Sequence, residues 1–157
     1  MIFTSDNGSL FENLPLRANK GYLYEGGIRV PWIMRWPGEI EAGKTSSLPV
    51  ISSDLFPTLL DVAGWDLSQT APLDGESLKG WILGEIPLKR NALHFHYPNY
   101  AFHKNNRLGS AIRKGHHKLI HFYDDNSLEL YDLEKDIAES KDLSESSPEL
   151  AHALKLE

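Results

Sequence analysis

The sequence predicts an α/β chain in two parts. Short strands and one amphipathic helix come first, and a small antiparallel sheet with a terminal helix follows. Three observations carry this. An apolar run from Met1 to Ser5 stops at Asp6-Asn7-Gly8, as a buried strand stops at a turn. Leu55, Phe56, Leu59, Leu60, Val62 and Ala63 form an apolar stripe at helical spacing. From Asn91 onward, runs rich in strand-forming residues alternate with short turn sequences. The expected division is residues 1–88 and residues 89–155.

The elements follow in order. Residues 1–5 read as a strand. Residues 8–27 hold four glycines and Pro15, and read as a long surface loop of the kind that often carries function. Val30 to Trp36 is the next strand, closed by Pro37-Gly38. Ser52 to Gly64 is the clearest helix, with Ser53 as N-cap, Pro57 in the first turn and Gly64 at the end. Ser77 to Leu83 is a second, shorter helix. Strands are expected over Ala92–Tyr97, Ser110–Lys114, His117–Tyr123 and Leu128–Leu133, with tight turns at Lys114-Gly115-His116 and Asp124 to Ser127. Pro148 to Leu156 closes the chain as a helix.

The 157 residues suit one domain or two small ones, and 41% hydrophobic with 24% charged residues permits a packed core. No stretch is long enough to cross a bilayer. There is no cysteine, hence no disulfide, thiolate metal site or cysteine nucleophile. The net charge is -6, unevenly placed: residues 1–123 hold 13 Lys/Arg and 11 Asp/Glu, residues 124–157 hold 3 and 11. An acidic end of this kind argues against nucleic acid as a partner.

The chemistry sits in the first thirty residues. Asp6 and Asn7 are adjacent hard oxygen donors at a strand's carboxyl end, a combination suited to Ca²⁺ or Mg²⁺. Asp-Asn-Gly is also an excellent turn sequence, and on the dipeptide alone the turn is the favoured reading. Lys20 opens a glycine-rich stretch, Lys20-Gly21 through Tyr24-Glu25-Gly26-Gly27-Ile28-Arg29-Val30-Pro31, and offers a point charge to an oxyanion. Its glycine spacing is not that of a phosphate-binding P-loop. Glu25 and Arg29 read as an ion pair that fixes the loop. His94 and His96 share one strand face without an evident third ligand. His116, His117 and His121 surround a hairpin, where exposed polar residues are ordinary. Lys104 and Arg107 lie in a polar loop able to attract an acidic saccharide. Trp32, Trp36, Trp65 and Trp81 read as packing residues.

Thr4-Ser5-Asp6-Asn7-Gly8 and the segment Lys20 to Pro31 together resemble the second half of the sulfatase active site. The resemblance continues through Trp36-Pro37-Gly38, Ser53 to Leu60, Asp74 to Leu78, Ala111 to Gly115, Lys118-Leu119-Ile120 and Glu129 to Leu133, so it covers nearly the whole chain in order. It implies the C-terminal part of an alkaline-phosphatase-like α/β fold: the edge of the main sheet plus a small antiparallel-sheet subdomain with a terminal helix. It implies a sulfuric ester hydrolase in which Asp6 and Asn7 bind Ca²⁺ and Lys20 contacts the sulfate. His94 to Tyr100 resembles a segment near the substrate entrance, where His96 or Tyr100 would touch the group bearing the sulfate. The family's nucleophile is a formylglycine in a Cys/Ser-x-Pro-x-Arg motif, which this sequence lacks. The expectation is therefore a C-terminal portion that is inactive and holds Ca²⁺ incompletely without the upstream part. Implied partners are a sulfate ester (a sulfated saccharide among the options), the N-terminal part of the same protein, and a second copy through an exposed edge. The family's compartments are periplasmic, secreted or lysosomal. Phosphonate or phosphate monoester hydrolases of the same superfamily share the Asp-Asn element, and a degenerate non-catalytic module is the third reading.

Overall fold

The computed structural model describes residues 1–100 and 105–157. In order, the elements are β1 (Ile2–Thr4), α1 (Glu25–Ile28), β2 (Trp32–Met34), α2 (Leu55–Val62), α3 (Lys79–Ile82), β3 (Ala92–Tyr97), β4 (Gly109–Lys114), β5 (His117–Phe122), β6 (Leu128–Asp132) and α4 (Pro148–Lys155). The chain groups into two units, Met1–Phe3 with Ile33–Asn91, and Thr4–Trp32 with Ala92–Glu157. The chain passes between the units three times, at Phe3–Thr4, Trp32–Ile33 and Asn91–Ala92. Thr4–Trp32 groups with the C-terminal sheet rather than with the residues that follow it in sequence.

The larger unit is built on a four-stranded antiparallel sheet in the order β3-β4-β5-β6. Its strands are joined in sequence order, as the alternating pattern and tight turns require. Gly115, at φ 59°, makes the β4–β5 turn where a side chain would be strained. The register pairs Lys114 with His117 and Ala111 with Ile120, then His117 with Asp132 and Leu119 with Leu130. Because side chains alternate, the sheet has two distinct faces. Ala111, Ile120, Phe122, Tyr131 and Leu133 pack with Leu23 on one. Ile112, Leu119 and Leu130 pack with Ala151 and Leu154 of α4 on the other. Pro148 starts α4 at a position whose amide needs no partner, and His152 and Lys155 lie in its last turn.

In the smaller unit, Met1 and Arg35 exchange both backbone hydrogen bonds at 2.8 Å, the sign of an antiparallel pair extending β1 and β2. α2 follows a 3-10 turn over Ser52–Asp54. Ser53 does not cap it. The Asp54 carboxylate takes the Ile51 amide at 3.0 Å instead, and Pro57 lies in the first turn as expected. The face that α2 buries is Pro57 and Thr58, while Phe56, Leu59 and Val62 of the apolar stripe are exposed. Trp65, expected to pack, is 55% exposed. No helix among the described residues is long and apolar enough to cross a membrane.

Candidate active site

Asp6, Asn7 and Lys20 line one cavity of about 330 Å³, together with Ser5, Arg29 and Pro31. The convergence is made by backbone. Lys20 donates its amide to Ser9 O at 2.8 Å, Asn19 Nδ2 donates to Leu10 O at 3.2 Å, and Gly8 donates its amide to Gly27 O at 2.8 Å. These bonds hold the strand-end turn against the glycine-rich loop. A Cβ on Gly8 would meet Gly26 O at 1.9 Å, so the approach requires glycine there. Gly26 and Gly27 are packed as closely, a Cβ on them meeting Ala18 O at 2.2 Å and Tyr22 O at 2.0 Å, while Gly21 takes a φ of 92°.

Within the cavity, Asn7 Nδ2 donates to Asp6 Oδ2 at 2.6 Å. That fixes the amide so that Asn7 Oδ1 remains an acceptor, leaving a carboxylate and a carbonyl oxygen side by side. Ser5 Oγ donates to Asn7 O at 3.0 Å and fixes the turn. The Lys20 ammonium makes no ion pair with a described residue. Arg29 is a second cation on the cavity wall and pairs with Glu25 at 3.3 Å, the ion pair expected from the sequence. Two cations and one carboxylate make a wall that attracts an anion, with a hard-oxygen corner for a divalent ion.

The loop is anchored to the sheet through buried charge. Lys118 Nζ, on β5, donates to Glu25 Oε1 at 3.0 Å and to Glu139 Oε1 at 2.8 Å, and Glu139 Oε2 accepts the Glu25 amide at 2.6 Å. All three side chains are essentially inaccessible. Beside them, Tyr24 donates to Glu129 Oε2 at 2.8 Å, and Arg17 donates to Tyr131 Oη at 2.7 Å while lying 3.9 Å over the Tyr24 ring. Burial first, and then the Glu129 carboxylate, push both phenols well above the ordinary tyrosine range, so they act as donors. Asn106 also donates to Gly21 O. Of these side chains, only Glu25 had an expected structural role, as the partner of Arg29. Lys118 was findable: it shares a strand face with Ile120 and Phe122, which are inward.

His96 does not line this cavity. It stands exposed on β3, with Nδ1 3.2 Å from Ser110 Oγ and 3.0 Å from Tyr123 Oη. It lines a separate cavity of about 310 Å³ with His94, His121 and Lys155. Tyr100 is 71% exposed. Arg107, expected to attract an acidic saccharide, is committed to Asp124 at 2.7 Å and Asp125 at 2.5 Å, an arrangement the hairpin imposes. Lys104 lies outside the described residues.

The family model described as N-sulphoglucosamine sulphohydrolase, C-terminal, matches residues 18–156. The chain belongs to the sulfatase family. This sulfatase chain is 35% identical to a sulfatase of Formosa agariphila, over 94% of the chain and 29% of that protein. It is 35% identical to N-acetylglucosamine-6-O-sulfatase of Bacteroides thetaiotaomicron, over 91% of the chain and 26% of that protein. It is 35% identical to human arylsulfatase A, over 99% of the chain and 36% of that protein. The chain therefore spans well under half of these relatives. Among solved structures, it superposes with a TM-score of 0.82 and 30% identity on a protein in complex with its substrate D-glucosamine-2-N,6-O-disulfate, over 99% of the chain and 32% of the other. The phosphonate monoester hydrolase of Agrobacterium radiobacter superposes with a TM-score of 0.74 and 27% identity, over 99% of the chain and 33% of the other. The fold is that of the C-terminal part of an alkaline-phosphatase-like sulfatase, as the sequence implied.

Proposed function

We propose that this sulfatase chain supplies the cation-and-calcium half of a site that hydrolyses sulfate monoesters, with sulfated saccharides as the substrate class. The observation that carries the reading is the convergence of Asp6, Asn7 and Lys20 on one cavity. Lys20 holds a sulfate oxygen, and Arg29 adds positive potential on the same wall. Asp6 and Asn7 fit Ca²⁺ by their hard oxygens, with the amide already turned by its bond to Asp6. Two side chains fall short of the six to eight oxygens usual for Ca²⁺, so the remaining ligands come from another part of the protein. Bound there, the ion would supply Lewis-acid stabilisation of charge on the sulfate oxygens. The formylglycine nucleophile belongs to that other part too, since this chain has no cysteine and no Cys/Ser-x-Pro-x-Arg motif. Taken alone, the 157-residue chain is inactive. His96, in its own cavity, contacts the substrate's remainder. The substrate class draws support from relatives named for sulfated sugars, and the family's habit points to a periplasmic, secreted or lysosomal compartment.

The test uses the whole protein with its nucleophile matured. Aryl-sulfate or sugar-sulfate hydrolysis is expected, and Lys20→Ala should lower kcat/KM by about a hundredfold or more. The exposed Lys44→Ala should leave it unchanged. An unaltered rate in Lys20→Ala removes the assignment. A higher kcat/KM on a phosphonate monoester than on a sulfate would favour the second reading, which the superposition on the phosphonate hydrolase raises. Absence of both turnover and calcium binding would mark a degenerate module.

A further inference from the structure

We infer that His116, His117 and Asp132 form a surface site for a zinc-like transition-metal ion, separate from the Asp6–Asn7 corner and independent of the function proposed above. One ligand atom from each of the three lies within 4.8 Å of the others. The topology creates the cluster. Gly115 and His116 form the two-residue connection between β4 and β5, and His117 begins β5. His117 sits directly across from Asp132 in the β5–β6 register. Successive strand residues point to opposite faces, but His116 lies in the turn, where the chain reverses. Its ring centroid therefore comes within 4.1 Å of that of His117.

Asp132 is the fixed member, only 7% exposed. Its Oδ1 accepts the Glu134 amide at 3.2 Å and its Oδ2 accepts Lys135 Nζ at 2.8 Å. Each oxygen retains a further lone pair, and such outer bonds are what orient a carboxylate ligand. The His116 carbonyl accepts the Leu133 amide at 2.8 Å, which ties the turn to the end of β6. Two imidazoles and one carboxylate suit zinc and its neighbours over calcium, and three protein ligands leave a fourth position for water. Ligands around zinc stand roughly 3.3 Å apart. The closure from the present spacing is within reach of a side-chain rotation of the exposed His116. Lys135 is the competitor: its ammonium occupies Asp132, yet its side chain is 79% exposed and free to leave.

Titration calorimetry of the whole protein, saturated with calcium, with zinc chloride tests this. One ion per chain is expected, with calcium unable to displace it. His116→Ala and His117→Ala should each weaken binding by about tenfold or more. His116 is exposed in a turn, so its variant should keep the wild-type circular dichroism spectrum. Lys135→Met, which removes the competing charge, should tighten binding severalfold, a change a merely structural lysine would not give. His94→Ala with His96→Ala should leave binding unchanged. Absence of saturable zinc binding overturns the site, as does unaltered affinity in His116→Ala or loss of binding in the His94/His96 variant. Unchanged or weakened binding in Lys135→Met removes Asp132 as a ligand and with it the site as drawn.

Discussion

The unit of Thr4–Trp32 with Ala92–Glu157 and the unit containing Ile33–Asn91 bury apolar surface to different degrees. In the first, both faces of the sheet are covered, one by Leu23 and its neighbours and the other by α4. In the second, Leu78 is the one fully buried aliphatic side chain among the described residues, and Phe56, Leu59 and Val62 stand in solvent at 58%, 53% and 40% exposure. That unit is organised by polar bonds instead. Asp54, fully buried, accepts the amides of Ile51 and Glu76 at 3.0 Å each and pairs with Arg90 through both oxygens. Thr58 Oγ1 donates to Asp54 O at 2.6 Å and accepts the Leu78 amide at 2.9 Å. Both units keep a buried carboxylate with a basic partner, but only the first surrounds it with a closed apolar core.

Removing the cation from each unit is the sharpest test of that difference. Lys118→Met leaves the buried Glu139 without its cationic partner, while Glu25 keeps Arg29 at 3.3 Å and Arg113 at 4.0 Å. The expected loss is about 3–5 kcal/mol, read from urea unfolding. Arg90→Met leaves Asp54 with its two backbone donors, and the Arg90 side chain was 17% exposed to begin with. The expected loss is about 1.5–3 kcal/mol, the range for hydrogen bonds to a charged group. Equal losses would mean that the two carboxylates are equally screened, and the contrast would fail.

Acid titration separates the units by sign. Burial holds the Glu139 carboxyl above its ordinary value of 4.5, with the charge and hydrogen bond of Lys118 pulling it back. The folded chain then binds that proton more tightly than the unfolded chain. The Glu139 contribution is most favourable below about 4.5 and declines as pH rises through its folded value. In the other unit, the Ser77 hydroxyl bond chiefly holds Asp61 below its ordinary 3.8, with burial opposing and Lys79 assisting. Its contribution is complete above about 3.8 and disappears as pH falls through the folded value. Urea midpoints between about pH 3 and about pH 7 should show Glu139→Gln flattening the upper limb and Asp61→Asn the lower. A single variant that flattens both limbs would show the two titrations to be coupled.

The sheet was legible because its signals are local. Alternation and short turns predict four strands, and the observed β3 to β6 begin and end within a residue of those expectations. The association of Thr4–Trp32 with that sheet was not legible, because it depends on Lys118, Glu25 and Glu139 meeting across a large separation in sequence. Ser53 as a cap failed for a related reason: the competing carboxylate of Asp54 is held by Arg90 on Oδ2 and by the Glu76 amide on Oδ1, which only the fold brings there. The Asp6–Asn7–Lys20 cavity was named from a resemblance. The residues alone favoured a turn over a ligand pair, and the bond from Lys20 to Ser9 that joins the two segments has no sequence signature. The cluster of His116 and His117 with Asp132 was missed because a histidine pair at a hairpin says nothing of the strand lying across from it.

The smallest expected effect concerns the exposed stripe of α2. In the 157-residue chain, Leu59→Ser should change stability by no more than about 0.5 kcal/mol, since the side chain is already half in water. Its visible consequence should be weaker self-association in sedimentation, because Phe56, Leu59 and Val62 form adjoining apolar surface. In the whole protein the same substitution should cost about 1.5–3 kcal/mol, the value of burying such a side chain, if another part of the polypeptide covers this face. The contrast between the two measurements is the informative quantity. A small loss in both would mean that the stripe faces solvent in the whole protein too. Contact with another part of the polypeptide would then no longer explain the poor apolar burial in the unit of Ile33–Asn91.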